Sequence, residues 1–278
     1  MKAKRLVLVV LVVFVVALLA GSVSAAEYKI GHLSRLNMSP DEMKAKAQGH
    51  VNTGKSMLFF AAGKPSTTKP LFYDSLQSML MALNAGEIDV MSLPESVAEY
   101  VMNVNDGFEV AGILRMMTAY LSLGFRKDYD PTTLHRFNEA ILSMKADGTL
   151  AILRAKYIDE AGLDEPEAVK FEKFENAGSV KVAVTGDMPP IDYIAADGTP
   201  AGFNTAVLAE IAKRMKVNIE LLNIDSGARA AALASKRADV VFWFRTDTGV
   251  DVQADVPEDI ALSEAYYSWN ENLHIKKK

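Results

Sequence analysis

The sequence predicts an α/β protein of two lobes. Two observations carry this. Short apolar runs alternate with helix-period segments in both halves of the chain, the pattern of strand–helix units. A stretch with four Glu, two Lys and one Pro, 161–179, separates those halves, and 278 residues suit one large domain or two lobes of roughly 100–150 each.

Residues 1–25 stand apart from both lobes. Lys2, Lys4 and Arg5 precede the unbroken apolar run Leu6–Ala20, and Val23-Ser24-Ala25 fits a small-residue cleavage site. This is the composition of a secretory signal peptide, too short in its apolar run to span a bilayer in full. Its removal shifts the net charge from −5 to −8, which opposes nucleic-acid binding. Cysteine is absent, so disulfides and thiolate metal sites are excluded. The expected location is the bacterial periplasm.

In chain order, Glu27–Leu33 reads as a strand. Ser39-Pro40-Asp41-Glu42 reads as a helix start, with the helix running to about Ala47. Gly49–Ser56 satisfies the G-x-x-x-x-G-K-S pattern of a phosphate-binding loop. That loop needs a strand before it and a helix after it, whereas here a helix precedes and the apolar strand Met57–Ala61 follows. A polar loop is the better reading. Leu71–Tyr73 is a strand, Ser75–Asn84 a helix, Val90–Leu93 a strand and Pro94–Met102 a helix. Val110–Leu114 and Tyr120–Arg126 read as two strands. Pro131–Ala146 is an amphipathic helix stopped by Asp147-Gly148, and Leu150–Tyr157 is a further helix.

Beyond the linker, Val180, Val182 and Val184 alternate as a strand, and Met188-Pro189-Pro190 ends it. Ala196-Asp197-Gly198 is turn chemistry. Asn204 stands where a helix N-cap belongs, ahead of Val207, Leu208, Ile211 and Met215. The runs 218–224 and 237–244 supply two more strands.

These pieces carry a resemblance. Val180–Val184, Pro189–Tyr193, Asp197-Gly198, Gly202-Phe203-Asn204, Arg237-Ala238-Asp239 and Leu262–Tyr267 resemble, in order, the first lobe of the family 3 extracellular solute-binding proteins of ABC importers. Tyr73–Leu76, Gly86-Glu87-Ile88-Asp89, Leu123–Arg126 and Lys145–Thr149 resemble that family's second lobe. The resemblance implies a two-lobed, periplasmic-binding-protein-like (type II) fold with a central interlobe cleft. It also implies reversed lobe order: 27–160 as the second lobe, 161–179 as linker and 180–278 as the first. Circular permutation and a tandem remnant of two receptors both explain that order. Permutation is preferred, because each lobe occurs once.

The function implied is capture of a small polar, amino-acid-like ligand for an ABC permease in the inner membrane, without cofactor or metal. Open α/β sheets bind ligands beyond the carboxyl ends of their strands. That places Asp187, Tyr193, Arg229, Trp243, Phe244, Arg245, Thr246 and Thr248 as candidates, with Glu95 from the other lobe. Arg245 follows an apolar strand, where its guanidinium would clamp a carboxylate. The alternative for Arg245 is a solvated residue paired with Asp247 or Asp251. Arg229 is a second, weaker cation. Where the family commonly carries a ligand-binding aspartate in its second lobe, this chain has Pro94 with Glu95 beside it, so Glu95 would take the ligand's amino group. No catalytic set emerges: the four histidines have no H-E-x-x-H spacing and there is no G-x-S-x-G. A dehydratase-like enzyme of the same fold and a sensing or docking protein are the alternatives. Turnover would mark the first, and absence of both turnover and binding the second.

Overall fold

The computed structural model describes residues 27–33, 59–61, 64–160, 165–247, 256 and 259–278. The leader 1–25, the helix expected over 39–47, the loop Gly49–Ser56 and Thr248 lie outside these residues, as do the side chains of Trp243 and Phe244.

The strands are β1 (Glu27–Leu33), β2 (Phe59–Ala61), β3 (Lys64–Tyr73), β4 (Val90–Pro94), β5 (Phe108–Arg126), β6 (Ser179–Val184), β7 (Asp187–Met188), β8 (Asp192–Ile194), β9 (Pro200–Ala201), β10 (Asn218–Asn223), β11 (Val240–Asp247), β12 (Ile260–Leu262) and β13 (Tyr267–Lys277). The helices are α1 (Leu76–Ala85), α2 (Glu95–Val104), α3 (Pro131–Ala146), α4 (Thr149–Arg154), α5 (Gly202–Met215) and α6 (Arg229–Ala234). A π-helical turn, Ala155–Asp159, extends α4.

One mixed sheet organises the molecule, in the order β10-β6-β11-β5-β13-β4-β1-β3-β2, with β12 also on β5. Its flanks are two parallel triplets, β10-β6-β11 and β3-β1-β4. Between them run β5 and β13, antiparallel to each other and to the triplet strand beside each. The two triplets therefore point in opposite directions. β11 ends at Asp247, opposite Ala119, and β4 ends at Pro94, opposite Asn272. Both sets of carboxyl ends converge on the middle of the β5–β13 pair.

Each triplet reads as sequence predicts. Strands covered on both faces are continuous apolar runs rather than alternating ones, and β4 is buried along its whole length. α1 begins at Ser75, whose hydroxyl accepts from the Ser78 N–H at 3.1 Å. It ends at Gly86, a left-handed residue at φ 75°, the conformation that favours glycine at this place. α1 packs on β1, β3 and β4, and α2 on β4 and β13. On the other side α3 and α4 pack against α5, with Met79, Phe137, Phe203, Val207 and Phe242 in one continuous core. Arg214 of α5 holds Asp147 at 2.8 Å and Glu210 at 2.9 Å, tying α5 to the α3–α4 turn.

Four differences from the expected elements have physical causes. Val110–Leu114 and Tyr120–Arg126 are one strand of 19 residues, because β13 and β11 extend the ladder across 115–119. β13 was not expected as a strand at all: its Ser, Asn and Glu residues hide its period, and it forms by pairing with β5 and β4. α5 starts at Gly202 with Ala201 as its cap, so Asn204 lies buried in the first turn rather than capping it. β11 continues to Asp247, so Arg245 sits within the strand opposite Leu121, not beyond its end.

The linker residues 165–178 lie along the 180–278 segment. Val169 N–H donates to Pro200 O, and Asn218 exchanges hydrogen bonds with the Phe174 backbone at 3.0 Å in both directions.

Candidate functional site

A cavity of 320 Å³ lies beside the crossing of β5 and β13, at the start of α2. Three elements wall it. α2 contributes Glu95, Ser96 and Glu99 from its first two turns. The crossing strands contribute Thr118, Tyr267, Ser268, Trp269 and the adjoining Asn270. The end of α4 and its π-turn contribute Arg154, Ile158 and Asp159. A second cavity of 240 Å³ adjoins it through Arg154, Tyr267 and Ser268, and adds Lys145, Leu150, Phe203 and Tyr266.

The electrostatics are asymmetric. Glu95, Glu99 and Asp159 put three carboxylates around the first cavity. Burial, then the charges of Glu95 and Asp159, push the Glu99 carboxyl above its ordinary value. Arg154 is the guanidinium among the described lining residues. It lies 5.5 Å over the Tyr267 ring, and its Nε is 3.4 Å from Asp159 Oδ1. The π-turn explains that pair, because an i→i+5 turn widens the helix and brings residues five apart to one side.

Trp269 ties the walls together. Its indole N–H donates to Asn272 Oδ1 at 3.1 Å, and Asn272 Nδ2 donates to Ser92 Oγ of β4 at 3.1 Å. Trp269 stacks with Tyr267 at 5.9 Å between ring centroids, and the Arg245 guanidinium lies 5.3 Å from its own ring centroid. Arg245, Trp269, Tyr267 and Arg154 thus form a ladder of rings and cations along β13.

Of the nine residues singled out by sequence, Glu95 lines the cavity. Arg245 touches its wall through Trp269, and Thr246 is half-buried one residue before the end of β11. Tyr193 turns to the linker, its hydroxyl donating to Glu165 Oε1 at 2.8 Å; burial and that bond push it up to about 12. Arg229 and Asp187 belong to a different cluster. Arg229 is fully buried. Burial pulls it below its ordinary value, against the charges of Asp192, Asp187 and Tyr266. Asp192 accepts from Thr185 Oγ1 at 2.8 Å and from Gly186 N–H at 3.0 Å, which fixes the loop before β8. Burial and Asp192 raise the Asp187 carboxyl. Arg229 and Asp192 of this cluster are buried in the core.

Sequence reading missed Arg154, Glu99, Asp159 and Trp269. The first three stand on ordinary-looking helical surface, and only a π-turn, without a sequence signature, aims two of them together. Among the described residues no group of His, Cys, Asp or Glu is placed to hold a metal ion. No helix among them is long and apolar enough to cross a membrane.

The strand–loop–hairpin–helix run that begins at β6 decides the family comparison. Residues 180–278 match the bacterial extracellular solute-binding proteins, family 3. The matched segment carries β6 to β13, and so supplies one parallel triplet and one of the two crossing strands. No curated protein matches the sequence. Among solved structures the chain is similar to the ligand-binding component of an ABC-type import system from Staphylococcus aureus with zinc bound. Identity there is 12%, with 90% of this chain and 66% of that chain covered and a TM-score of 0.42. It is also similar to a periplasmic substrate-binding protein of an ABC transporter from Coxiella burnetii (10% identity, 90% and 84% covered, TM-score 0.42). A third is the methionine-binding protein MetQ (11% identity, 91% and 83% covered, TM-score 0.41). The chain thus spans just under two thirds of the first of these.

Proposed function

We propose that the protein is a periplasmic receptor that captures a small amino-acid-like solute in the central cavity and presents it to an ABC permease. The observation that carries this reading is a polar cavity at the β5–β13 crossing, walled by the start of α2, which follows β4, and by the end of α4. Ligands of open α/β sheets lie beyond the carboxyl ends of the strands, and Glu95 of the cavity follows the carboxyl end of β4 directly. The family match of residues 180–278 agrees with it.

In this reading the molecule is two lobes with β5 and β13 as the hinge, and the lobe order is permuted relative to the family. A solute that contacts both lobes favours the closed arrangement by binding it better than the open one. Glu95 and Glu99 receive the ammonium group, and Trp269 and Tyr267 supply the aromatic wall. The leader 1–25 directs export.

The test is a thermal-shift screen of the mature protein against each standard L-amino acid and small dicarboxylates, with calorimetry on any compound that stabilises it. Saturable binding without turnover is expected, weakened at least tenfold in Glu95→Gln. Because Glu99 is held above its ordinary value, affinity for an ammonium-bearing solute is expected to rise with pH as Glu99 ionises. Conversion of the solute to product would assign an enzyme instead. A screen in which nothing stabilises the protein would refute the receptor reading.

A further inference from the structure

Arg154, Tyr267 and Ser268 line both the first cavity and the second cavity of 240 Å³, so the two spaces adjoin along those three residues. Their chemistry differs. The first carries Glu95, Glu99 and Asp159, whereas no carboxylate stands among the described residues that line the second. Four side chains that line the second are buried: Leu150, Phe203, Tyr266 and Tyr267. The Phe203 ring lies 5.2 Å from that of Tyr267 and 6.3 Å from that of Tyr266, centroid to centroid, so three of the four are rings in mutual contact. The charged groups there are both cations, Lys145 and Arg154. Apolar walls with a few polar groups are the make-up of a small-molecule site. The volume of 240 Å³ exceeds the roughly 150 Å³ of an apolar cavity that holds benzene. Rings gain from offset and edge-to-face contact with other rings, and cations are drawn to a ring face, so this lining favours an aromatic group over an aliphatic one. An acidic or basic group placed there would leave water for a wall of buried apolar side chains.

We propose that the second cavity is a separate subsite that receives an aromatic ring carried by the solute, while the solute's polar head lies in the first. The solute class is then an aromatic amine or aromatic amino acid, not a short aliphatic or acidic one. Ala151 and Ala265 line the second cavity and not the first. Their small side chains leave the room that the ring takes, which makes both positions determinants of specificity.

This inference rests on the receptor reading and is tested separately from it. Calorimetry compares 2-phenylethylamine with ethylamine, and L-phenylalanine with L-alanine, so that each pair differs by one ring on the same head. Wild type is expected to bind the ring-bearing member of each pair at least tenfold more tightly. Ala151→Trp and Ala265→Trp each fill the second cavity. Both are expected to weaken the ring-bearing compounds at least tenfold and to leave the ring-free ones within threefold. Glu95→Gln, in the first cavity, is expected to weaken both members of a pair and to keep the preference. Urea unfolding of each variant checks that the fold is kept; Ala151 is exposed on α4 and Ala265 half-buried outside the strands, so little change is expected. Equal binding of ring-bearing and ring-free members by the wild type overturns the subsite while the receptor reading stands. A preference that survives both tryptophan variants does the same, as does binding of aliphatic or acidic amino acids alone. If no compound binds the wild type, the receptor reading and the subsite fall together.

Discussion

At the scale of single residues, the sharpest commitment is Arg229. A fully buried guanidinium beside Asp187 and Asp192 is tolerable only because the charges neutralise one another. Breaking such a group by removing one partner costs about 3–5 kcal/mol, since uncompensated charge stays buried. Arg229→Met is therefore expected to lower stability by that order in urea unfolding. Combined with Asp192→Asn it should recover part of the loss. A loss below about 1 kcal/mol would show that water reaches the cluster. Arg229 also shows where sequence reasoning reached its limit. Its place after β10 made it a cleft candidate, but a solvent-facing and a core-facing arginine look alike in sequence. Glu95 was singled out by the family resemblance, as the acid beside Pro94, and it lines the cavity at the start of α2. Arg154 was not, because nothing in Leu150–Tyr157 announces a π-turn.

At the scale of elements, the entry to α5 holds the start of the segment 180–278 together. Gly202 has φ 81°, and a Cβ there would stand 2.7 Å from the Pro190 carbonyl oxygen. Phe203 and Asn204 donate their backbone N–H groups to Pro190 O and Ile191 O, so the proline loop and the helix start are one unit. Gly198 makes a natural comparison: φ is 85°, yet nothing lies within 4 Å of its Cβ position. Left-handed backbone costs a non-glycine residue about 1–2 kcal/mol. Gly198→Ala is expected to lose about that much, and Gly202→Ala measurably more, because backbone must move as well. Equal losses in thermal melts would mean that the contact relaxes freely. The G-F-N motif was visible in sequence, and so were most strands and helices of both triplets. The crossing strands were not. A strand that meets one partner at its start and another at its end need not show one hydrophobic period, and β13 is such a strand.

At the scale of the whole molecule, β13 completes both sides of the sheet. Its first residues pair with 119–121 of β5, and its later ones with β4 and with 108–115 of β5. A chain truncated after Leu262 is therefore expected to lose cooperative unfolding altogether, rather than to leave one lobe intact. Differential scanning calorimetry of that truncation tests it, and a single sharp transition from a surviving lobe would contradict it. The same arrangement bears on biosynthesis. β4 meets β13 only through residues about 180 positions apart. At the usual 5–20 residues per second, the edge of β4 waits roughly 10–35 s for its neighbour. During that interval the nascent chain has no finished sheet on either side. An unfinished sheet leaves the edge of β4 without its neighbour, so the strand that closes the molecule also sets the moment after which that edge is closed to other chains.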